Sequence, residues 1–202
     1  GVGTDADTVM EMASLGKAVT GICVAEVVRE GLLGYDDVFS DIVGKGPDLS
    51  VAQLLNQTSG LRTDSTQKLM VKRFAKAGHR SADVVDAVIK RGAPKGAVGQ
   101  FRYNNENYAL LAPMIEEVTQ TDFERACQAR VFAPAGVLAQ VSAVAASSLS
   151  WGGWAMSADD YAQFHSYWFG PDSAYGQDPF ALPHAQLDGG VRYGHGMFIR
   201  AS

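Results

Sequence analysis

Cysteine is scarce in this chain: only Cys23 and Cys127 occur, and neither belongs to a Cys/His cluster with metal-ligand spacing. Both fall in segments rich in apolar residues, where a free thiol behaves as a small hydrophobe. That is the reading adopted for them, with a disulfide as the alternative. The four histidines, His79, His165, His184 and His195, are scattered, so no metal site is expected and no organic cofactor is called for. Long hydrophobic runs are missing as well. The most apolar window, residues 18–28, is interrupted by Thr20 and Glu26 and is too short to span a bilayer. An excess of positive charge is also lacking, since 17 Lys and Arg face 22 Asp and Glu for a net charge of -5. No stretch interleaves basic residues with aromatics, which argues against a nucleic-acid partner; the basic run 68–76 reads as a solvated helix face. No basic-then-apolar leader opens the chain, and no repeat or low-complexity segment interrupts it.

What is present suits a folded protein. The 202 residues are 47% hydrophobic, enough for one sizeable core or two small lobes. Residues 14–30 carry the longest helical pattern, closed by Gly31. Val19, Ile22, Cys23, Val24, Val27 and Val28 make it apolar around most of its circumference, so it is predicted to run through the centre of a domain. Ser50 caps a short helix over 51–56 that ends in the turn Thr58-Ser59-Gly60. Residues 63–78 are weakly helical. Ser81 caps a clearer helix with Val84, Val85, Val88 and Ile89 on one side, ended by Gly92 and Pro94. A Gly-containing loop, 95–99, leads to Phe101-Arg102-Tyr103-Asn104-Asn105 and a helix over 107–119, which Pro113 is expected to kink or break. Asp122 caps a helix reaching about Phe132. Ser157 caps another, with Asp160 at the reciprocal position and Tyr161, Phe164 and Trp168 facing inward. Residues 170–190 read as loop and 191–200 as the one convincing strand.

Two clusters carry possible chemistry. Ser14-Leu15-Gly16-Lys17 places a hydroxyl and an amine one helical turn apart at a helix start, so both project from one face. A serine hydroxyl needs a base to take its proton, and a lysine serves only if burial or nearby positive charge lowers its pKa. Met10, Met12, Ala13 and Val19 supply an apolar flank, and the helix N-terminus adds partial positive charge that favours an oxyanion. A Ser-x-x-Lys match arises by chance about once in a chain of this length. A second one, Ser65-Thr66-Gln67-Lys68, sits in a polar stretch with nothing to depress its lysine and reads as a decoy. Tyr103-Asn104-Asn105, after its Gly-containing loop, offers a phenol able to move a proton and, at Asn105, an amide able to orient a carbonyl or Lys17. Alone, Tyr103 would read as an ordinary core-edge tyrosine.

Four segments taken together resemble the class C β-lactamase, penicillin-binding protein and family VIII esterase group of serine hydrolases. They are Met12-Ala13-Ser14-Leu15-Gly16-Lys17-Ala18-Val19-Thr20, Leu54-Leu55-Asn56-Gln57-Thr58-Ser59-Gly60-Leu61, Phe101 to Leu111, and Gly152-Gly153-Trp154-Ala155-Met156-Ser157-Ala158-Asp159-Asp160. They occur in that group's order and near its spacing, and they extend over most of the chain. The resemblance implies an α+β fold of the β-lactamase/transpeptidase type, mostly its helical part with an incomplete antiparallel sheet, as one domain over 1–202. It implies Ser14 as the acylated nucleophile, Lys17 as its base, Tyr103 as proton relay and Asn105 as the substrate-orienting amide. Thr58-Ser59-Gly60 looks like the group's structural turn.

There are departures. The group's third motif, Lys-Thr-Gly, His-x-Gly or Trp-x-Gly on a strand beside the site, has no Lys-Thr-Gly or His-x-Gly here. Trp151-Gly152-Gly153 follows Tyr103 too soon to be that strand, and His195-Gly196 belongs to the strand leading toward it. The group's sheet also needs strands before the nucleophile helix and after Ser202, so the chain reads as a domain lacking both ends, with a second polypeptide as one source of the rest. By resemblance the compartment is the periplasm or the exterior. The expected activity is cleavage of an ester, amide or lactam in a small-molecule or peptide substrate through an acyl-enzyme. The alternatives are a catalytically silent binding or scaffolding domain of the same fold and an unrelated helical interaction module. Peptidoglycan stem peptides, β-lactams, short-chain esters and D-amino-acid amides are all substrates within the group, and loops 63–78 and 169–190 are the expected seats of specificity.

Overall fold

The computed structural model describes residues 3–66 and 82–200. Most of the weakly helical stretch expected over 63–78, together with the basic run 68–76, His79 and the Ser81 cap, lies outside the described residues.

Helix α1 (Gly16–Arg29) is the centre of the molecule, and every residue from Gly16 to Val27 is buried. This agrees with its all-round apolar pattern, because a helix without a polar face must be covered on all sides. It starts two residues later than the sequence suggested, after a 3₁₀ turn at Ala13–Leu15. It ends as Gly31 adopts φ 74° and the Gly31 and Leu32 amides donate back to Val28 and Val27, an arrangement that satisfies carbonyls the helix end would otherwise leave open.

Helices α2 (Phe39–Val43), α3 (Val51–Leu55), α4 (Ala82–Arg91) and α5 (Asn105–Thr119) follow. Ser50 caps α3 through the Gln53 amide while the Gln53 side chain answers to the Ser50 amide. On α4, Val84, Val85 and Val88 are buried, as the one-sided pattern requires. Pro113 sits inside α5 without ending it. Asp122 precedes α6 (Phe123–Cys127) but makes no side-chain cap; Glu116 of α5 accepts the Phe123 amide instead, at 3.1 Å. A π-helical turn, Gln128–Phe132, and the short α7 (Ala133–Ala135) complete this arm.

The expectation for the cysteines is corrected here. Cys23 of α1 and Cys127 of α6 are joined as a disulfide, their Cα atoms 5.4 Å apart. The bond closes a separation of 104 residues, which in the chain-entropy account contributes on the order of 4–5 kcal/mol by restricting the unfolded chain. Neither residue's local sequence signalled the pairing, because it depends on α6 packing against α1.

Two small antiparallel sheets flank the helices. In the first, β3 (Trp154–Met156) lies between β1 (Met10–Glu11) and β2 (Gln140–Val141), with Met10 opposite Met156 and Gln140 opposite Ala155. Two-residue edge strands leave no alternation to read, which is why the sequence did not announce them. The second sheet runs β4 (Ala185–Gln186), β5 (Val191–Gly194), β6 (Met197–Arg200). The single strand expected over 191–200 is thus a hairpin, with Tyr193 opposite Phe198 and Gly194 opposite Met197. Its two-residue turn has His195 at φ 49° and Gly196 at φ 84°, the positive pair that matches strand twist. The stretch 170–190, expected as loop, contains the short α9 (Ala174–Gln177) as well as β4. Before it, α8 (Ala158–Phe169) buries Phe164 and Trp168, and Ser157 accepts the Asp160 amide at 3.0 Å. The architecture is α+β, mostly helical, as expected. No helix among the described residues is long and apolar enough to cross a membrane.

Candidate active site

Ser14 sits where the chain turns from β1 into α1. The Met12 amide donates to the Trp154 carbonyl at 2.9 Å, holding the end of β1 against β3. Ala13 then takes the left-handed conformation, φ 44°, uncommon for a residue with a Cβ. The sharp turn leaves Ser14 exposed above the start of α1. Gly152 makes room for it, since a Cβ there would lie 3.0 Å from the Ala13 carbonyl carbon and oxygen. Gly16 likewise packs on Gly152 and Trp154. Gly152 thus serves as the floor on which the serine turn rests.

Lys17 is fully buried. Its Nζ lies 3.1 Å from Ser14 Oγ and donates to the Trp151 carbonyl at 2.9 Å. It stands 5.0 Å from the centre of the Tyr103 ring and 5.8 Å from that of Tyr108. Burial pulls its pKa down from the ordinary lysine value to about 7, against the opposing field of Asp64. An ammonium in so dry a place is disfavoured, and near neutrality a large share of the amine is free to accept a proton.

The phenol of Tyr103 donates to Ser14 Oγ at 3.0 Å. Burial of the hydroxyl raises its pKa, the bond to Ser14 works the other way, and Asp64 adds to the rise. Tyr103 therefore holds its proton where Lys17 gives one up. Its position is fixed by backbone on both sides. Gly99 donates to the Thr58 carbonyl and Arg102 to the Gln57 carbonyl, each at 2.8 Å, and Gly96 donates to Gly60 at 2.9 Å. A Cβ on Gly96 would come within 2.5 Å of the Gly60 oxygen, so the Gly-containing loop and the Thr58-Ser59-Gly60 turn touch through bare backbone. Within that turn, Ser59 is buried and donates to Asn107 Oδ1 at 2.5 Å.

Asn105 is buried, with Nδ2 donating to Asp64 Oδ2 at 3.2 Å and to Thr66 Oγ1 at 3.0 Å, while its Oδ1 has no partner among the described residues. Its amide nitrogen is thereby committed to the 64–66 loop, and only the oxygen is left to meet another donor. Neighbouring Asn104 caps α5 through the Glu106 amide and donates to the carbonyls of Leu61 and Thr63. Ser14, Lys17 and Tyr103 thus meet at one point, while Asn105 is joined to Asp64, the carboxylate whose field reaches Lys17 and Tyr103. Among the described residues, no three His, Cys, Asp or Glu side chains converge as a metal ion would require.

The β-lactamase family model matches residues 1–199. The chain belongs to the β-lactamase family. That family is one of serine hydrolases. Among curated relatives, protein flp of Staphylococcus aureus is 31% identical over 126 residues, covering 58% of this chain and 25% of flp. Penicillin-binding protein 4* of Bacillus subtilis is 29% identical over 143 residues, covering 65% and 30%. The chain therefore spans between a quarter and a third of these relatives. Among solved structures, D-amino acid amidase from Ochrobactrum anthropi superposes with a TM-score of 0.82 at 18% identity, covering 99% of this chain and 70% of that one. A penicillin-binding protein from Bacillus halodurans gives 0.81 at 21%, covering 98% and 71%. The octameric penicillin-binding protein homologue from Pyrococcus abyssi gives 0.80 at 18%, covering 97% and 54%. These likenesses establish the β-lactamase/transpeptidase fold expected from the four segments.

Two contributors escaped the sequence reading. The Trp151 carbonyl is a backbone group, so residue type carries no sign of it. Asp64 lies in a polar stretch where a carboxylate attracts no notice, and its field on Lys17 and Tyr103 exists only after the loop folds back on α5.

Proposed function

We propose that this domain is a serine acyl hydrolase that cleaves an ester, amide or lactam bond through an acyl-enzyme on Ser14. The observation carrying this reading is the convergence of three groups with suitably opposed proton affinities. Lys17 Nζ and Tyr103 Oη both lie within hydrogen-bonding distance of Ser14 Oγ; burial weakens the hold of Lys17 on its proton and strengthens that of Tyr103 on its own.

The neutral Lys17 amine takes the Ser14 proton as Oγ attacks the substrate carbonyl carbon. Negative charge moves to the carbonyl oxygen, and the Ser14 amide is assigned to stabilise it. A second amide is assigned to a further strand. Among the described residues β6 pairs only with β5, which leaves its other edge to receive such a strand, from this polypeptide or from another. As the tetrahedral intermediate collapses, the bond to the leaving group breaks and Tyr103 protonates that group, recovering its proton from the Lys17 ammonium. Water then attacks the ester on Ser14 by the same proton path in reverse. Asn105, its amide nitrogen held by Asp64 and Thr66, is assigned the substrate-orienting role.

Substrates are small acyl compounds or peptides, a class within which the named relatives include penicillin-binding proteins and a D-amino acid amidase. The test is intact-mass analysis after exposure to a fluorophosphonate or a penicillin. A single adduct that disappears in Ser14→Ala is expected. An unmodified Ser14 in the full assembly would favour a binding or scaffolding role for the domain instead.

A further inference from the structure

The hairpin turn between β5 and β6 is pressed onto α1 more closely than side chains allow. Gly21 follows Lys17 by one helical turn and shares its face, and a Cβ at Gly21 would lie 2.5 Å from the His195 carbonyl oxygen. One turn earlier, a Cβ at Gly196 would lie 2.3 Å from the Lys17 carbonyl carbon and 2.5 Å from the Ala18 nitrogen. Both contacts are backbone against backbone, so no rotamer change relieves them. The turn itself is anchored. His195 is buried, and its ring lies 3.3 Å from the Tyr35 hydroxyl. Met197 packs against the core. Tyr193, also buried, sets its ring edge-on to Tyr103, 6.2 Å between centres.

We propose that the Gly194-His195-Gly196 turn is the element that keeps Lys17 dry, and that Gly21 and Gly196 are positioning residues because only bare backbone lets the turn seat that deeply. This deepens the proposed function and rests on Lys17 being the base. The groups facing the Lys17 amine are Ser14, the Trp151 carbonyl and the rings of Tyr103 and Tyr108. Asp64 is the charge that acts on it, and in the sense that retains a proton. His195, buried and with its pKa driven down to about 4, adds no charge near neutrality. Among the described residues, then, nothing charged pushes the proton off Lys17. Exclusion of water does so, and that exclusion depends on how tightly the turn closes.

The experiment is a pH titration of the Lys17 Nζ resonance in full-length protein carrying ¹⁵N-lysine, assigned by its loss in Lys17→Arg, run beside the pH profile of acylation. Wild type should titrate near 7. Gly21→Ala, which the helix backbone accepts, should lift the turn, admit water and raise the midpoint by about one unit or more toward the ordinary lysine value. The acylation profile should move alkaline by the same amount, with the rate recovered at high pH. Met197→Ala loosens the turn without adding an atom at the contact and should move both readouts in the same direction. An unchanged midpoint in folded Gly21→Ala, or in Met197→Ala if Gly21→Ala does not fold, overturns the proposal. The resonance reports whether or not Lys17 is catalytic: an upward shift with no change in acylation would retain the drying role and reject Lys17 as the base.

Discussion

Ser14 and Ser65 each head a Ser-x-x-Lys tetrapeptide, and the fold treats them in opposite ways. Ser14 stands exposed at a left-handed turn, with an amine and a phenol both within reach of its oxygen. Ser65 is tied down: its amide donates to Glu106 Oε1 at 2.8 Å and its hydroxyl donates to the same oxygen at 2.5 Å. Glu106, fully buried on α5, is held from its other oxygen by Arg91. The lysine of the second tetrapeptide lies outside the described residues. A hydroxyl that donates to a carboxylate paired with an arginine anchors a loop; a hydroxyl beside a desolvated amine can be deprotonated. The motif is the same, and what separates the two is the partner that the tertiary structure supplies.

The comparison is broken most directly by removing the first hydroxyl. Ser14→Ala should lower turnover by roughly 10³-fold or more while leaving the circular dichroism spectrum unchanged; a variant with full activity ends the hydrolase reading. Lys17→Met should follow, with a loss of about 10²–10⁴-fold, the range of a positioned proton acceptor, measured as the rate of Ser14 acylation. Tyr103→Phe removes the proton donor but leaves the ring over Lys17, and a loss of about 10²-fold is expected, larger for poor leaving groups than for activated esters.

The pH dependence sharpens the contrast further. Lys17 must be neutral to act, so acylation should rise with pH through about 7 and then level off. The stability effect has its own sign. The folded-state pKa of Lys17 lies below the unfolded value, so between about 7 and 10.5 the unfolded chain binds the extra proton, and stability attributable to this group increases with pH. Urea midpoints taken from pH 7 to 9.5 should climb more in wild type than in Lys17→Met. The smallest effect on activity belongs to Ser65→Ala. Turnover should stay within about twofold, and stability should fall by about 1.5–3 kcal/mol for the lost bond to a charged partner, read from the same urea midpoints. A large loss of turnover there would mean that the two serines are not as different as their surroundings indicate.

Much of the helical scaffold was legible in advance, for reasons specific to each element. The buried circumference of α1 was written in Val19, Ile22, Val24 and Val27, because no polar face remained for solvent. The Ser50 and Ser157 caps were readable from local chemistry alone. Asp122 was not, because Glu116, on the preceding helix, accepts the first amide of α6, that of Phe123, and Asp122 makes no side-chain cap. The strands β1 and β2 were illegible because pairing with β3, not any alternation of their own, defines them. Ser14, Lys17 and Tyr103 were picked out by order and spacing, and the structure brings them together. The Trp151 carbonyl, the field of Asp64 and the Cys23–Cys127 bond had no local signature.

Taken alone, the sequence determined what short-range chemistry can determine: where helices start and stop, which faces must be buried, and which residue types sit one turn apart. Hydrogen bonding to the near backbone and hydrophobic periodicity act over a few residues, so they leave their mark in a few residues. The tertiary structure decided that the Ser14 hydroxyl meets a dry amine and the Ser65 hydroxyl a carboxylate, which asparagine lost its amide to a loop, and which two thiols met. Those outcomes depend on solvent exclusion and on groups brought together across 39 to 134 positions, a range over which only the packed molecule has any say.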